Sequence, residues 1–186
     1  MRPKKIDNEA LMKGLTEVIK SKGYDGASLN DLAAASGLKK ASLYHRFPGG
    51  KEEITRNVLM DIYGQLQENV FGVIADNTRT VKERLSIALQ NLTEFYQDGE
   101  AVCIIRSLAF GKGLALFGDE LRTTINDWIK AFEQLGIEIG LDKAAANDAA
   151  MESFIYLQGS LVLSNGLDSP IPFDKALSKI RYMYLR

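Results

Sequence analysis

Apolar residues in this chain recur at three- and four-residue spacing almost from end to end, and no stretch of useful length alternates apolar and polar as a half-buried strand would. That spacing confines the chain to an all-α fold. Leu11, Leu15, Val18 and Ile19 form one stripe; Val81, Leu85, Leu89, Leu92 and Tyr96 form another. Leu121, Ile125, Trp128, Ile129, Phe132 and Leu135 make a third, and Phe173, Ala176, Leu177, Ile180 and Tyr184 a last. Punctuation divides the stripes. Asp7 suits the N-cap of the first helix and Gly23 its stop. Ser28 with Asp31, and Thr80 with Glu83, have capping-box spacing. A fourth helix is expected from about residue 51 into the seventies. Asp142 is expected to cap a helix running to about residue 165, and Pro172 suits a first helical position. In the helix after Asp142, Met151, Phe154, Ile155, Leu157, Leu161, Val162 and Leu163 point all round, which predicts burial on every side.

A chain of 186 residues with 46% hydrophobic content has material for a real core. Its net charge of -1 hides an asymmetry: residues 1–56 hold 11 Lys and Arg against 7 Asp and Glu, and the remainder 12 against 17. A basic first third on an acidic body suits contact with a polyanion. The one cysteine, Cys103, excludes an intrachain disulfide and fits a reducing, cytoplasmic setting. The opening MRPKKIDNEA has no apolar run after its basic residues, so no signal peptide is expected, and no charge-free stretch approaches the length of a membrane span. There is no Ser/His/acid order, no glycine-rich phosphate loop following a strand and no metal-ligand spacing. A catalytic site, a metal and a cofactor are therefore not expected.

The chemistry concentrates in LKKASLYHRFPGGKEE, residues 38–53, which holds the single histidine. Residues 28–47 read as helix, Gly37 turn, helix, the order of a helix-turn-helix. Ala33 is small where two helices must approach, and Leu38 re-enters the core. Leu43 and Phe47, four apart, share an inward face. Ala41 and His45 then lie opposite, with Ser42 and Tyr44 on the flanks and Lys39 and Lys40 preceding them. Small Ala41 lets such a helix sit deep in a groove, where Lys40, Ser42 and His45 can read base edges and Tyr44 can meet the backbone. Pro48-Gly49-Gly50 ends that helix and opens the next at Lys51, where free N–H groups and a lysine suit a phosphate. Glu52 and Glu53 are expected to point away from it.

The run SLNDLAAASGLKKASLYHRFPGGKEEI resembles the DNA-binding region of TetR-family transcriptional regulators: a capped helix, an alanine, a glycine turn, then Leu-Tyr-x-x-Phe and a Lys-Glu-Glu helix start. The match covers roughly residues 7–56. Arg46 stands where many members have His, and Leu29 and Asn30 replace polar or basic residues. The resemblance implies a helix-turn-helix domain over residues 1–50 and a helical effector-binding and dimerisation domain over 51–186, linked by the helix from about 51. It puts Lys40, Ser42, Tyr44 and His45 at the recognition helix and Lys51 at a phosphate; Ser28, Lys39 and Ala41 complete the DNA contacts expected from the sequence. It also implies a double-stranded, palindromic operator, a homodimer formed by the last two helices, and a small-molecule effector that releases a repressor from DNA. Gly159 and Ser160 would allow close approach between subunits. The competing reading is a helical small-molecule-binding protein or enzyme in which the helix-turn-helix is only structural.

For an effector pocket the glycine-punctuated stretch CIIRSLAFGKGLALFG and the aromatics supply the candidates: Cys103, Arg106, Phe110, Phe117, Trp128, Phe132, Phe154 and Tyr156. Aromatic stripes at helical spacing are more often the mark of a core. Arg106 would meet a carboxylate ligand, pair with a protein acid or lie at the surface.

Overall fold

A computed structural model describes residues 7–185. Among them all regular structure is helical. The elements are α1 (Asn8–Gly26), α2 (Leu29–Ser36), α3 (Lys40–Arg46), α4 (Gly50–Leu66), α5 (Gly72–Ala75), α6 (Val81–Phe95), α7 (Ile104–Leu108), α8 (Gly111–Glu138), α9 (Lys143–Leu167) and α10 (Ile171–Tyr184). A π-helical turn, Gln67–Phe71, joins α4 to α5, so the long fourth helix is helical into the seventies but not uniformly α. The basic residues Arg2, Lys4 and Lys5, and most of the stretch behind the signal-peptide expectation, lie outside the described residues.

The chain divides into two compact units: the segment up to Ile62 together with Ile104–Gly118, and Tyr63–Cys103 together with the chain from Asp119 onward. In the first unit, Leu11, Leu15 and Ile19 of α1 are buried, as are Leu32, Leu43, Ile54 and Val58, all at most 1% exposed. Asp7 occupies the N-cap position of α1, but its side chain makes no capping hydrogen bond. Regular helix stops at Gly23, whose φ of 65° and ψ of -178° turn the chain. α2 has the full capping box, Ser28 Oγ accepting from Asp31 N while the Asp31 carboxylate accepts from Ser28 N. Its C-cap is Gly37, left-handed at φ 66°, which most side chains would resist. α1 approaches α2 most tightly at Gly14, where a Cβ would collide with the Ala35 carbonyl.

In the second unit, α6 is capped by Thr80 and Glu83 as expected and buries Leu85, Leu89 and Leu92. Arg84, buried at 3%, was not foreseen. It donates to Ile74 O (2.7 Å) and Asn77 Oδ1 (3.2 Å) and pairs with Glu138, which satisfies a charge that would otherwise be costly to bury. α9 starts at Asp142, whose carboxylate accepts from Ala145 N, and α10 packs along it. Pro172 is the second residue of α10, with Pro170 at the N-cap.

The expectation that α9 is buried all round is not met within one chain. Small residues, among them Ala146, Ala150, Ser153, Ser160 and Ser164, face inward with Leu157 and Leu161. Met151, Ile155, Val162, Leu163 and Leu167 are 45–66% exposed. Ser160 belongs to the inner face and donates to Leu157 O (2.8 Å), whereas Gly159 opens onto free space.

Candidate nucleic-acid interface

α3 is only seven residues long, so its orientation depends on what it sinks into the core. Leu43 (1% exposed) and Phe47 (6%) anchor it, each burial contributing roughly 1.5–3 kcal/mol. The periodicity then leaves Lys40, Ala41, Ser42, Tyr44 and His45 exposed together, with Lys39 at the N-cap. Tyr44 is 44% exposed, and its ring lies 3.5 Å from where a Cβ on Gly50 would stand. Arg46 is held sideways by a hydrogen bond to Asn8 Oδ1 on α1. The sequence gives no periodic signal for that pairing.

The remaining two candidates carry structural duties. Ser28 Oγ accepts from Asp31 N (3.1 Å) and donates to Asp31 Oδ2 (2.7 Å). The Lys22 ammonium beside Asp31, reinforced by Ser28, holds that carboxyl well below the usual carboxylate range. Lys51 Nζ donates to Tyr24 O (2.7 Å) and Ala27 O (2.9 Å) and lies 4.3 Å from the centroid of the Tyr24 ring. Two of its three N–H donors are thus committed inside the protein. Glu53 does not point away from the start of α4: its carboxylate accepts from Gly49 N (2.7 Å) and occupies that helix end. Glu52 pairs with Arg56 (3.2 Å), one turn along.

The eight effector candidates fall in different surroundings. In the second unit Trp128 stacks on Phe132 (4.5 Å between centroids, 13° between planes), Phe154 meets Trp128 edge-on (5.7 Å), and Phe71 and Tyr184 close the cluster. Trp128 Nε1 donates to Ser153 Oγ (2.9 Å). Cys103 is buried, with Sγ 3.8 Å from Tyr96 Oη. Burial pushes the Tyr96 and Tyr184 hydroxyls well above the ordinary tyrosine range, so both stay neutral. Tyr156 is partly exposed on α9 with Lys179 Nζ 6.0 Å from its ring centroid. The others belong to the first unit: Phe117 is fully buried against Tyr24, Arg106 is exposed, and Phe110 is 74% exposed. Tyr184 and Ser153, polar members of the Trp128 cluster, and Tyr96, which meets Cys103 and Phe173, were not nominated by sequence reasoning. Both tyrosines were visible as inward members of their stripes.

Among the described residues no group of His, Cys, Asp and Glu is arranged to hold a metal ion, and no helix is long and apolar enough to cross a membrane.

Residues 11–58 match the model of the bacterial regulatory proteins of the tetR family. The HTH-type transcriptional regulator YxaF of Bacillus subtilis is 24% identical over 160 residues, 84% of this chain and 83% of its own. The HTH-type transcriptional repressor DhaR of a Mycobacterium species is 28% identical over 127 residues, 66% of this chain and 62% of its own. In architecture the chain is similar to a TetR transcriptional regulator from Legionella pneumophila, with a TM-score of 0.81, 18% identity, and coverage of 97% and 100%. It is also similar to CifR, a TetR-family regulator solved as a cysteine mutant on 26-bp double-strand operator DNA, with a TM-score of 0.74, 20% identity, and coverage of 99% and 98%. The family match falls on the unit built around α3, and the wider similarity extends over most of the chain: together they support a DNA-binding transcriptional regulator of the TetR type.

Proposed function

We propose that the protein works as a homodimer that sets α3 of each subunit into successive major grooves of a palindromic operator, and that it represses until a small-molecule effector in the second domain shifts the dimer to a conformer of lower DNA affinity. The observation that carries the reading is the sorting of α3. Its two large apolar residues are sunk, and Lys40, Ala41, Ser42, Tyr44 and His45 form one exposed face. Ser42, His45 and Lys40 are assigned to base edges, and Tyr44 and Lys39 to the backbone. Ser28 and Lys51 contribute chiefly by holding the domain together, and Lys51 keeps one N–H for a phosphate. The DNA-binding domain is taken as residues 1–50 and the effector and dimerisation domain as 51–186. No catalytic role is assigned, and the place of action is the cytoplasm.

The exposed apolar face of α9 supports the dimer, because a strip of Met, Ile, Val and Leu at 45–66% exposure is stable in water only when covered. The Trp128–Phe132–Phe154 cluster, with neutral Tyr184 and Tyr96 hydroxyls in the same unit, supports an apolar effector site. The experiment is selection of duplexes from a random library by the purified protein at stated salt. Recovery of a palindrome with half-sites about 34–36 Å apart is the expected result. Shallow sequence bias that vanishes at physiological salt would overturn it, leaving the helix-turn-helix a scaffold.

A further inference from the structure

α6 and α10 lie side by side in the second unit and run in opposite directions. Two contacts fix this. Tyr96, at the C-terminal end of α6, meets Phe173 in the first turn of α10 edge-on at 6.2 Å. Arg181 Nη1, in the last turn of α10, donates to Ser86 Oγ near the start of α6 (2.9 Å). Between these contacts the helices leave an open groove of about 510 Å³. Leu89 and Leu177 form its floor, Ser86 and Arg181 one end, and Thr93 and Asp174 the other. The charges at the two ends are uncompensated. Among the described residues Arg181 has a hydroxyl rather than a carboxylate as its partner, and the Asp174 carboxylate accepts from no donor. Seven residues of one helix separate them, about 10 Å along its axis, too far for them to pair with each other. The dipole of α10 accounts for an acid in its first turn and a base in its last, but not for both standing at the ends of one groove.

We propose that this groove is a binding site for a small extended zwitterion, a molecule with a carboxylate and an ammonium at opposite ends of an aliphatic spacer. The carboxylate meets Arg181, whose bond to Ser86 Oγ holds the guanidinium at the groove's end and leaves four of its five N–H donors for a ligand. The ammonium meets the Asp174 carboxylate, and the spacer lies over Leu89 and Leu177. A molecule with one charge satisfies only one end. The site is separate from the aromatic cluster: Trp128, Phe132 and Phe154 line no part of it. Its occupant would tie α6 to α10 within one unit.

The proposal goes beyond the DNA-binding reading and stands or falls without it. Amide NMR shifts of the full chain are followed at low salt during titration with 6-aminohexanoate, hexanoate and hexylamine, probes that share one spacer length and differ in which ends are charged. 6-Aminohexanoate should shift residues 86–93 and 174–181 and bind roughly fivefold more tightly than either single-ended probe, the gain one added exposed ion pair allows. High salt should erase that advantage. Asp174→Asn should lower 6-aminohexanoate to the affinity of hexanoate, and Arg181→Met should lower it to that of hexylamine. Equal affinity for the three probes, shifts confined to other elements, an advantage that survives either substitution, or no shift at all would overturn the site and leave the DNA reading untouched. Should Arg181→Met lose its cooperative melt, Ser178→Phe, midway along the groove, should fill it and abolish the shifts, and retained binding there would equally overturn the site.

Discussion

α3 and α9 each leave one face uncovered, and the two faces are chemical opposites. On α3 it is Lys40, Ala41, Ser42, Tyr44 and His45; on α9 it is Met151, Ile155, Val162, Leu163 and Leu167. A polar, basic face is satisfied by water and can wait for a partner. An apolar face costs about 25 cal/mol per Å² left in water, so it favours permanent cover. The supporting sides differ in the same sense. α3 is held by two large residues, Leu43 and Phe47, whereas α9 turns a run of Ala and Ser inward, with Ala146 against Gly136 and Ser153 bonded to Trp128 of α8. One surface therefore suits reversible recognition and the other constitutive pairing.

Breaking the second surface should have the larger effect. The pair Ile155→Glu and Leu163→Glu places charge on the apolar strip and should yield monomers in sedimentation equilibrium. Operator affinity should fall with it by roughly 10²–10⁴-fold, since two linked half-sites become one. Monomers that bind as tightly as the parent would show that α9 serves another partner. Next comes Phe132→Ala, which opens a cavity under Trp128 in a fully buried position. It should cost about 3–5 kcal/mol in denaturant unfolding and leave the base preference of the remaining folded protein unchanged.

The contrast within α3 is finer. His45→Ala should relax preference at one position of each half-site by about 1–3 kcal/mol, read by competition among single-base variants. Tyr44→Phe should weaken all duplexes alike by about 0.5–1.5 kcal/mol, the loss of one hydroxyl contact. If the two substitutions exchange their signatures, the assignment of base and backbone roles is reversed. The smallest effect concerns the frame. Asp31 has its carboxyl held well below the usual range, first by Lys22 and then by Ser28, so ionised Asp31 contributes stability above its unfolded pKa and loses it as pH falls through the folded value. Asp31→Asn should therefore lower Tm at neutral pH, with the difference shrinking as the solution is taken to strongly acid pH.

Much of this was legible without coordinates. The Ser28–Asp31 and Thr80–Glu83 boxes, the Asp142 cap, and the stops at Gly23 and Gly37 are local devices within one turn of chain, and all five stand where the sequence places them. The exposed face of α3 follows from burying Leu43 and Phe47, which one helical repeat dictates. The duties of Lys51 and Glu53 were not legible. A lysine at a helix start offers a charge to a phosphate or to any nearby carbonyl, and only the fold brings Tyr24 O and Ala27 O beneath it. The Arg46–Asn8 and Arg84–Glu138 pairs span 38 and 54 residues and leave no periodic trace. The aromatic stripes declared that Trp128, Phe132 and Phe154 were apolar, but not that they would cluster while Phe110 stood in solvent.

The sequence by itself determined the all-α class, most helix boundaries, the helix-turn-helix and the residues it presents, because hydrogen bonding and capping in helices are settled within four residues. The tertiary structure decided that residues 104–118 fold with the DNA-binding helices, that Asp25 caps a helix 87 residues away, and that α9 keeps one apolar side uncovered. Those outcomes depend on which surfaces meet in space, and packing between distant segments is chosen by shape and burial rather than by any repeat along the chain.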